Sequence, residues 1–392
     1  MKPSSAHGIG GADAFLRRWL PPLLFVGIVA LSVALLYRAT APAVLVSPTY
    51  RLVDLIDAHP VVAKQQLAAS APPPSSYPLP ELQYEPPPVP QNATESQEMR
   101  LERVLRAAAT ADNAVIITSL NAFWSTPGSG LDVFLEGFRT GNGTRELLNH
   151  LVIVAVDDKA YERCVAVHRH CLDFKVEGLD FSAEKVFNSP EYLDMMWARL
   201  DFLRLVLEKG FDFVFSDVDI MWFRNPFPYF YSEGDFQISC DRFLGDPTDL
   251  KNSPNNGFNY ARSNNRSIEF FKYWYSSRAR FPGVHEQNVL NKIKFDQRTQ
   301  DIGVKIRFLS TERFGGFCQP SKNFNKVCTM HANCCIGLRR KINDLRAMLD
   351  DWRKFTSLPP DVRISSNFSW SVPQTCRLPP WLFSKKENKS HV

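Results

Sequence analysis

No long run of basic residues occurs in this 392-residue chain; its 46 Lys and Arg are scattered among 41 Asp and Glu, for a formal net charge of +5. A nucleic-acid partner therefore has no electrostatic footprint to bind. Internal repeats are lacking too, which removes solenoid and propeller arrays from consideration. Nor is the chain short of apolar residues, as a wholly disordered one would be. At 44% hydrophobic it can build one large or two ordinary domains with a real core.

Long apolar runs are nearly absent as well. The single one is "LPPLLFVGIVALSVALLY" at 20–37, uncharged and preceded by Arg17 and Arg18. It is near the shortest stretch that spans a bilayer as a helix, yet longer than a usual signal-peptide core. "ATA" at 39–41 offers small residues for cleavage; the reading adopted is an uncleaved anchor, with residues 1–19 cytosolic and the long downstream part translocated. Residues 38–98 lack periodicity and are rich in proline, as in "APPPSSYPLPELQYEPPPVP" at 71–90, which suits an extended, polyproline-like stem better than a docking site. A body at 99–380 and a polar tail at 381–392 complete the plan of a type II membrane protein. Five Asn-X-Ser/Thr sequons, at Asn92, Asn142, Asn265, Asn367 and Asn388, all follow the apolar run. Eight cysteines (Cys164, Cys171, Cys240, Cys318, Cys328, Cys334, Cys335, Cys376) suit an oxidising lumen, and their connectivity is not legible from spacing.

Within the body, "AVIITSL" (114–120) and "LVIVAV" (151–156) read as buried strands flanking a helix-like "LDVFLEGF", a βαβ unit. Ser189 is a good N-cap, Pro190 suits the first helical position and Gly210 a stop, so a helix is expected between them. Its Leu193, Met196, Leu200, Leu203 and Leu207 keep helical spacing and belong to the core. It feeds "FDFVFSDVD", another strand. Such alternation predicts an α/β domain with a mostly parallel sheet, which binds ligands beyond the carboxyl ends of its strands. A later helix is expected in "IGLRRKINDLRAMLDDWRKF".

Asp217 and Asp219 stand at such an end. Two apart in an extended segment, they would face the same side, and their repulsion calls for a cation. Hard oxygen ligands favour Mg²⁺ or Mn²⁺ with positions open for phosphate oxygens, although Asp-X-Asp also occurs in plain solvated turns. His331 in "VCTMHANCCIGL", with Thr329 and Asn333 alongside, is the candidate third ligand. Cys328, His331, Cys334 and Cys335 also have zinc-like spacing, and a purely structural histidine is the plainest alternative. "CDRFLGDPTDLKNSPNNGFNYARSN" reads as a Gly/Pro/Asn loop whose Asp241, Asn255, Asn256 and Gly257 could bring backbone amides to a sugar or phosphate. "PGVHEQNVL" places His285, Glu286 and Gln287 at a helix start. Asp157 and Asp158 after the second strand, and Asn121 after the first, are candidates to contact the nucleotide. Arg199 and Arg204 are candidates for phosphate or for salt bridges.

In order, "FVFSDVDIMWFRNPF", "CDRF", "NNGFNYARSN", "HEQNVL", "FGGFCQPS" and "CTMHANCC" resemble the nucleotide-diphospho-sugar transferase domain of plant and algal glycosyltransferase family 77, over about 110–358. The resemblance implies a GT-A fold and retaining transfer of arabinose, xylose or galactose from a UDP-sugar to a cell-wall glycoprotein or polysaccharide. A Golgi membrane location goes with it. Asp217 and Asp219 match the family's metal-holding Asp-X-Asp, and His331 looks like its metal histidine. Glu286 and Gln287 match a pair more often written Asp-Gln and thought to face the donor sugar; Asn256 stands where many members have glycine. Glu286 and Asp241 are the nucleophile candidates, against front-face attack by the acceptor, which needs none. A noncatalytic glycan-binding or scaffolding member and a UDP-sugar hydrolase are the competing functions.

Overall fold

The computed structural model describes residues 96–175, 182, 185 and 188–376. The apolar run at 20–37, the stem up to residue 95, the sequons at Asn92 and Asn388 and the tail at 381–392 lie outside the described residues. Among the described residues no helix is long and apolar enough to cross a membrane. The sequon residues Asn142, Asn265 and Asn367 are all exposed.

The strands are β1 (Ala114–Leu120), β2 (Leu151–Ala155), β3 (Cys171–Asp173), β4 (Asp212–Ser216), β5 (Ile220–Trp222), β6 (Phe236–Arg242), β7 (Ser253–Ala261), β8 (Ile306–Phe308), β9 (Phe314–Gly316) and β10 (Thr329–His331). Seven form one sheet in the order β3-β2-β1-β4-β7-β6-β8, and β5-β10-β9 form a small second one. In the large sheet β7 alone runs against its neighbours, β4 and β6; the other pairs are parallel. The mixed, mostly parallel α/β architecture expected from the alternation is therefore present.

Alternate residues of the central strands serve two cores. Ile116 and Leu120 of β1 join Phe134, Phe138, Trp222 and Trp352 on one face, whereas Val115 and Ile117 join Trp197, Phe213, Phe215 and Trp274 on the other. The helices Gly130–Thr140 and Leu338–Ser357 cover the first face, and Pro190–Glu208, Asn265–Ser276 and Glu286–Ile293 cover the second. Each fully buried Phe or Trp is worth about 2–3 kcal/mol against exposure. The helix Pro190–Glu208 forms as its ends dictate: Ser189 accepts from the Tyr192 N–H, Pro190 sits in the first turn, and Gly210 takes φ +85° after the last turn.

Two local expectations need correction. Asp217 to Asp219 is a tight turn and not extended strand, with the Ile220 N–H donating to the Asp217 carbonyl at 3.2 Å. The presumed loop around Asn255 is a strand, since β7 pairs on both edges and Asp241 lies in β6. Its Pro, Gly and Asn content is accommodated by a bulge, because the partner of Ile238 is Asn259 but that of Ser239 is Asn255. The zinc reading also fails. Cys334 is bonded to Cys318 and Cys335 to Cys376, while Cys328 is buried, which pushes its thiol up to about 11. A third disulfide joins Cys164 to Cys171.

Candidate metal and donor site

β1 and β4 are adjacent and parallel, yet the chain leaves their carboxyl ends in opposite directions, toward β2 from one and toward the β7 side from the other. A crevice opens at such a switch point. A cavity of about 510 Å³ lies there, walled by Ile117, Trp124, Phe202 and Phe215 and lined by Asn121, Arg199, Asp217, Asp219 and Lys341.

Backbone register builds the acidic end of this cavity. The Asp217 N–H donates to the Gly257 carbonyl at 2.7 Å, which anchors the turn to the bulge of β7. β5 starts at Ile220, directly after Asp219, and pairs with β10 so that His331 lies opposite Ile220. His331 Nε2 consequently stands 3.1 Å from Asp219 Oδ1 and 4.0 Å from Asp217 Oδ2. One donor atom from each of the three lies within 4.8 Å of the others. Gly257 has no room for a side chain beneath them: a Cβ would be 2.4 Å from His331 Cε1 and 2.7 Å from Asp217 Oδ2.

Two carboxylates and one imidazole form a donor set suited to Mn²⁺ or Mg²⁺, and the missing Cβ leaves them space to converge. Cationic side chains offset the acids from both flanks. Arg199 NH1 is 2.8 Å from Asp217 Oδ1, and Lys341 Nζ is 2.6 Å from Asp219 Oδ2. Burial alone would raise Asp219, but the Lys341 ammonium and the His331 ring hold it well below the usual carboxylate range. Asp217 is pushed up, by burial and also by the Asp219 charge.

The other candidates divide. Arg199 is in the site, stacked on Phe215 with its guanidinium carbon 4.7 Å from the ring centroid, whereas Arg204 pairs with Asp201 and Glu208 on its own helix. Glu286 is fully buried behind Arg199, with Oε1 3.0 Å from Arg199 NH2 and accepting from Asn256 Nδ2 at 3.1 Å. Its Oε2 is 2.6 Å from His285 Nδ1. One of the two nucleophile candidates, it does not line the cavity and is paired with Arg199 instead. Gln287 accepts from the Asn256 N–H at 2.8 Å, and Asp241 accepts from Asn255 and Asn333; neither lines the cavity. Asn256 thus holds Glu286 and Gln287, and the close backbone approach belongs to Gly257. Asn121 lines the cavity while capping the short helix that follows β1. Asp157 is spent on structure, its two oxygens accepting from the Ala122 and Ala160 N–H groups at 2.7 and 2.9 Å. Asp158 pairs with Lys175.

Lys341 is the site residue that sequence reasoning missed. A signal exists in the string "LRRK": three cations in the first turn of a helix oppose the helix dipole, which favours anions there. Basic residues at a helix start therefore point to carboxylates or phosphates supplied from elsewhere.

Residues 146–345 match the family described as nucleotide-diphospho-sugar transferase. The uncharacterized protein At4g15970 of Arabidopsis thaliana is 45% identical over 287 residues, covering 73% of this chain and 76% of that protein. A second uncharacterized Arabidopsis thaliana protein, At1g28695, is 41% identical over 261 residues, 65% of this chain and 78% of that protein. Solved structures with a distant likeness include mouse xyloside xylosyltransferase 1 in its apo form, 11% identical with a TM-score of 0.37, over 56% of this chain and 98% of that one. The galactosyltransferase LgtC in complex with donor and acceptor sugar analogues is likewise 11% identical, with a TM-score of 0.33, over 63% and 98%. The sequence matches carry the assignment: the chain belongs to the nucleotide-diphospho-sugar transferase family.

Proposed function

We propose that this chain is a retaining glycosyltransferase of the GT-A fold and the family 77 kind. It transfers an arabinose, xylose or galactose unit from a UDP-sugar to a cell-wall glycoprotein or polysaccharide, and it is held in the Golgi membrane by the run at 20–37. The observation that carries the reading is the convergence of Asp217, Asp219 and His331 at the end of a cavity flanked by Arg199 and Lys341.

Asp217, Asp219 and His331 Nε2 are the groups that would hold Mn²⁺ or Mg²⁺. When bound, the ion acts as a Lewis acid that neutralises the departing diphosphate. The protein's own cations act in the same sense. Lys341 lines the cavity and can trade its contact with Asp219 for a phosphate oxygen, while Arg199, clamped by Glu286, keeps Asp217 turned toward His331. Apolar walls limit water at the sugar and so favour transfer over hydrolysis. Among the described residues, the only carboxylates lining the cavity are the metal pair. With no further acid among the described residues that line the cavity, front-face attack by the acceptor is the mechanism this setting supports.

The test is calorimetric titration of the purified full-length protein with a panel of UDP-sugars, with and without Mn²⁺, repeated on Asp219→Ala. Mn²⁺-dependent binding of one UDP-sugar, lost in the variant, is expected. A folded wild type that binds no UDP compound overturns the reading for UDP donors. Donor cleavage at equal rates with and without glycan acceptors would assign a hydrolase instead, and donor binding without any turnover a noncatalytic member.

A further inference from the structure

The bulge of β7 does more than make room for the triad. Asn255 is buried, and both ends of its amide are committed. Its Nδ2 donates to Asp241 Oδ1 at 2.8 Å, and its Oδ1 accepts from the Gly257 N–H at 2.9 Å. A flipped amide would set NH₂ against a backbone N–H and a carbonyl against a carboxylate, two repulsive contacts in place of two hydrogen bonds. The oxygen of Asn255 is therefore the atom that faces His331 Nδ1, at 3.1 Å. An acceptor there requires Nδ1 to carry a proton. The other ring nitrogen, Nε2, is the one directed at Asp217 and Asp219.

We infer that Asn255 is a positioning residue for the metal histidine: oriented by Asp241 and by the Gly257 N–H, it holds His331 in the Nδ1–H tautomer and so presents the Nε2 lone pair to a divalent cation. Outer partners of this kind fix both the orientation and the basicity of a metal-binding imidazole. Asp241 acquires a role in the same stroke. Its Oδ1 takes hydrogen bonds from Asn255 and from Asn333 Nδ2 at 2.9 Å, and its Oδ2 lies 3.5 Å from Gln287 Nε2. It is the fixed end of a chain that runs Asp241, Asn255, His331, metal.

The inference rests on the metal reading of the triad, and the experiment separates the two. Full-length wild type, His331→Ala, Asn255→Leu, Asn255→Ser and Asn255→Asp, the last also combined with Asp241→Asn, are titrated with Mn²⁺, read by the loss of the free-ion electron paramagnetic resonance signal. The same proteins are titrated with Co²⁺, read by its d–d absorption. Asn255→Leu and Asn255→Ser are expected to bind Mn²⁺ roughly 10–100-fold more weakly, as losses of such outer partners do. Their Co²⁺ bands should move toward those of His331→Ala, a signature that a merely structural role would not produce. Asn255→Asp keeps an oxygen facing Nδ1 but sets a second carboxylate against Asp241, so it is expected to regain affinity over Asn255→Ser only when combined with Asp241→Asn. The serine variant, small and polar, keeps the test open if the leucine variant does not fold. Wild-type affinity and spectra in Asn255→Ser would overturn this inference and leave the proposed transferase intact. A folded wild type that binds neither ion would overturn both.

Discussion

Glu286 is a fully buried acid outside the triad whose charged form its neighbours favour. Burial by itself would raise its pKa; the neighbouring His285 ring, the Arg199 guanidinium and the Asn256 amide instead bring it down to about 2. A depressed carboxylate contributes stability that is fully present above its unfolded value near 4.5 and is lost as pH falls from there through about 2. Glu286→Gln lacks that contribution and leaves Arg199 with one charged partner. It should unfold in urea with a stability about 3 kcal/mol lower at pH 7, and the gap to wild type should close as the pH is taken toward 2. An unchanged gap across that range would show that the charge of Glu286 is not what stabilises the site. The residue was legible as a helix-start acid beside His285. That it faces inward was not, because a helical start has the same sequence whether its first turn meets solvent or a buried arginine 87 positions away.

At the scale of elements, the units with strong local codes formed as expected. The capped helix Pro190–Glu208 and the β-branched runs of β1 and β2 are set by nearest-neighbour preferences. β7 went unrecognised because its pairing on both edges overrides a composition that locally favours turns. The helix Leu338–Ser357 is pinned at its start by the Cys335–Cys376 bond, which closes a span of 41 residues. Asp344 on that helix accepts from the N–H groups of Gln374, Thr375 and Cys376 and seats the same segment. Removing the bond in the double variant Cys335→Ser, Cys376→Ser should cost about 4 kcal/mol by the chain-entropy relation for such a span. Urea unfolding of both proteins checks this. No change in midpoint would mean that the Asp344 contacts alone hold the segment.

For the whole molecule, the two cores on either side of one sheet make a rigid support, and the acidic turn is a locally unfavourable feature that this support sustains. A cation binding the folded triad but not the unfolded chain adds stability by mass action, about 2.7 kcal/mol at a free concentration one hundred times its Kd. Thermal unfolding should therefore shift upward with Mn²⁺, return with a chelator, and show no response in Asp219→Ala. A wild-type midpoint indifferent to Mn²⁺ at concentrations that saturate the titrations above would argue that the triad is not the binding site.

By itself the sequence determined what short-range physics can: the strands β1, β2 and β4, the helices Pro190–Glu208 and Leu338–Ser357, a mostly parallel α/β domain, and two acids placed close together after a strand end. It also supplied each ligand type, since Asp217, Asp219 and His331 were all legible as candidates. Only the tertiary structure decided which of the many polar residues meet. His331 reaches Asp219 across 112 positions and Lys341 across 122, through the register of β5 with β10 and the docking of one helix. Asp157 and Asp158, also at a strand end, were candidates to contact the nucleotide, yet the first is consumed by backbone N–H groups and the second by Lys175. Strand register and helix packing are long-range choices made by burial of the whole core, and no window along the chain contains them.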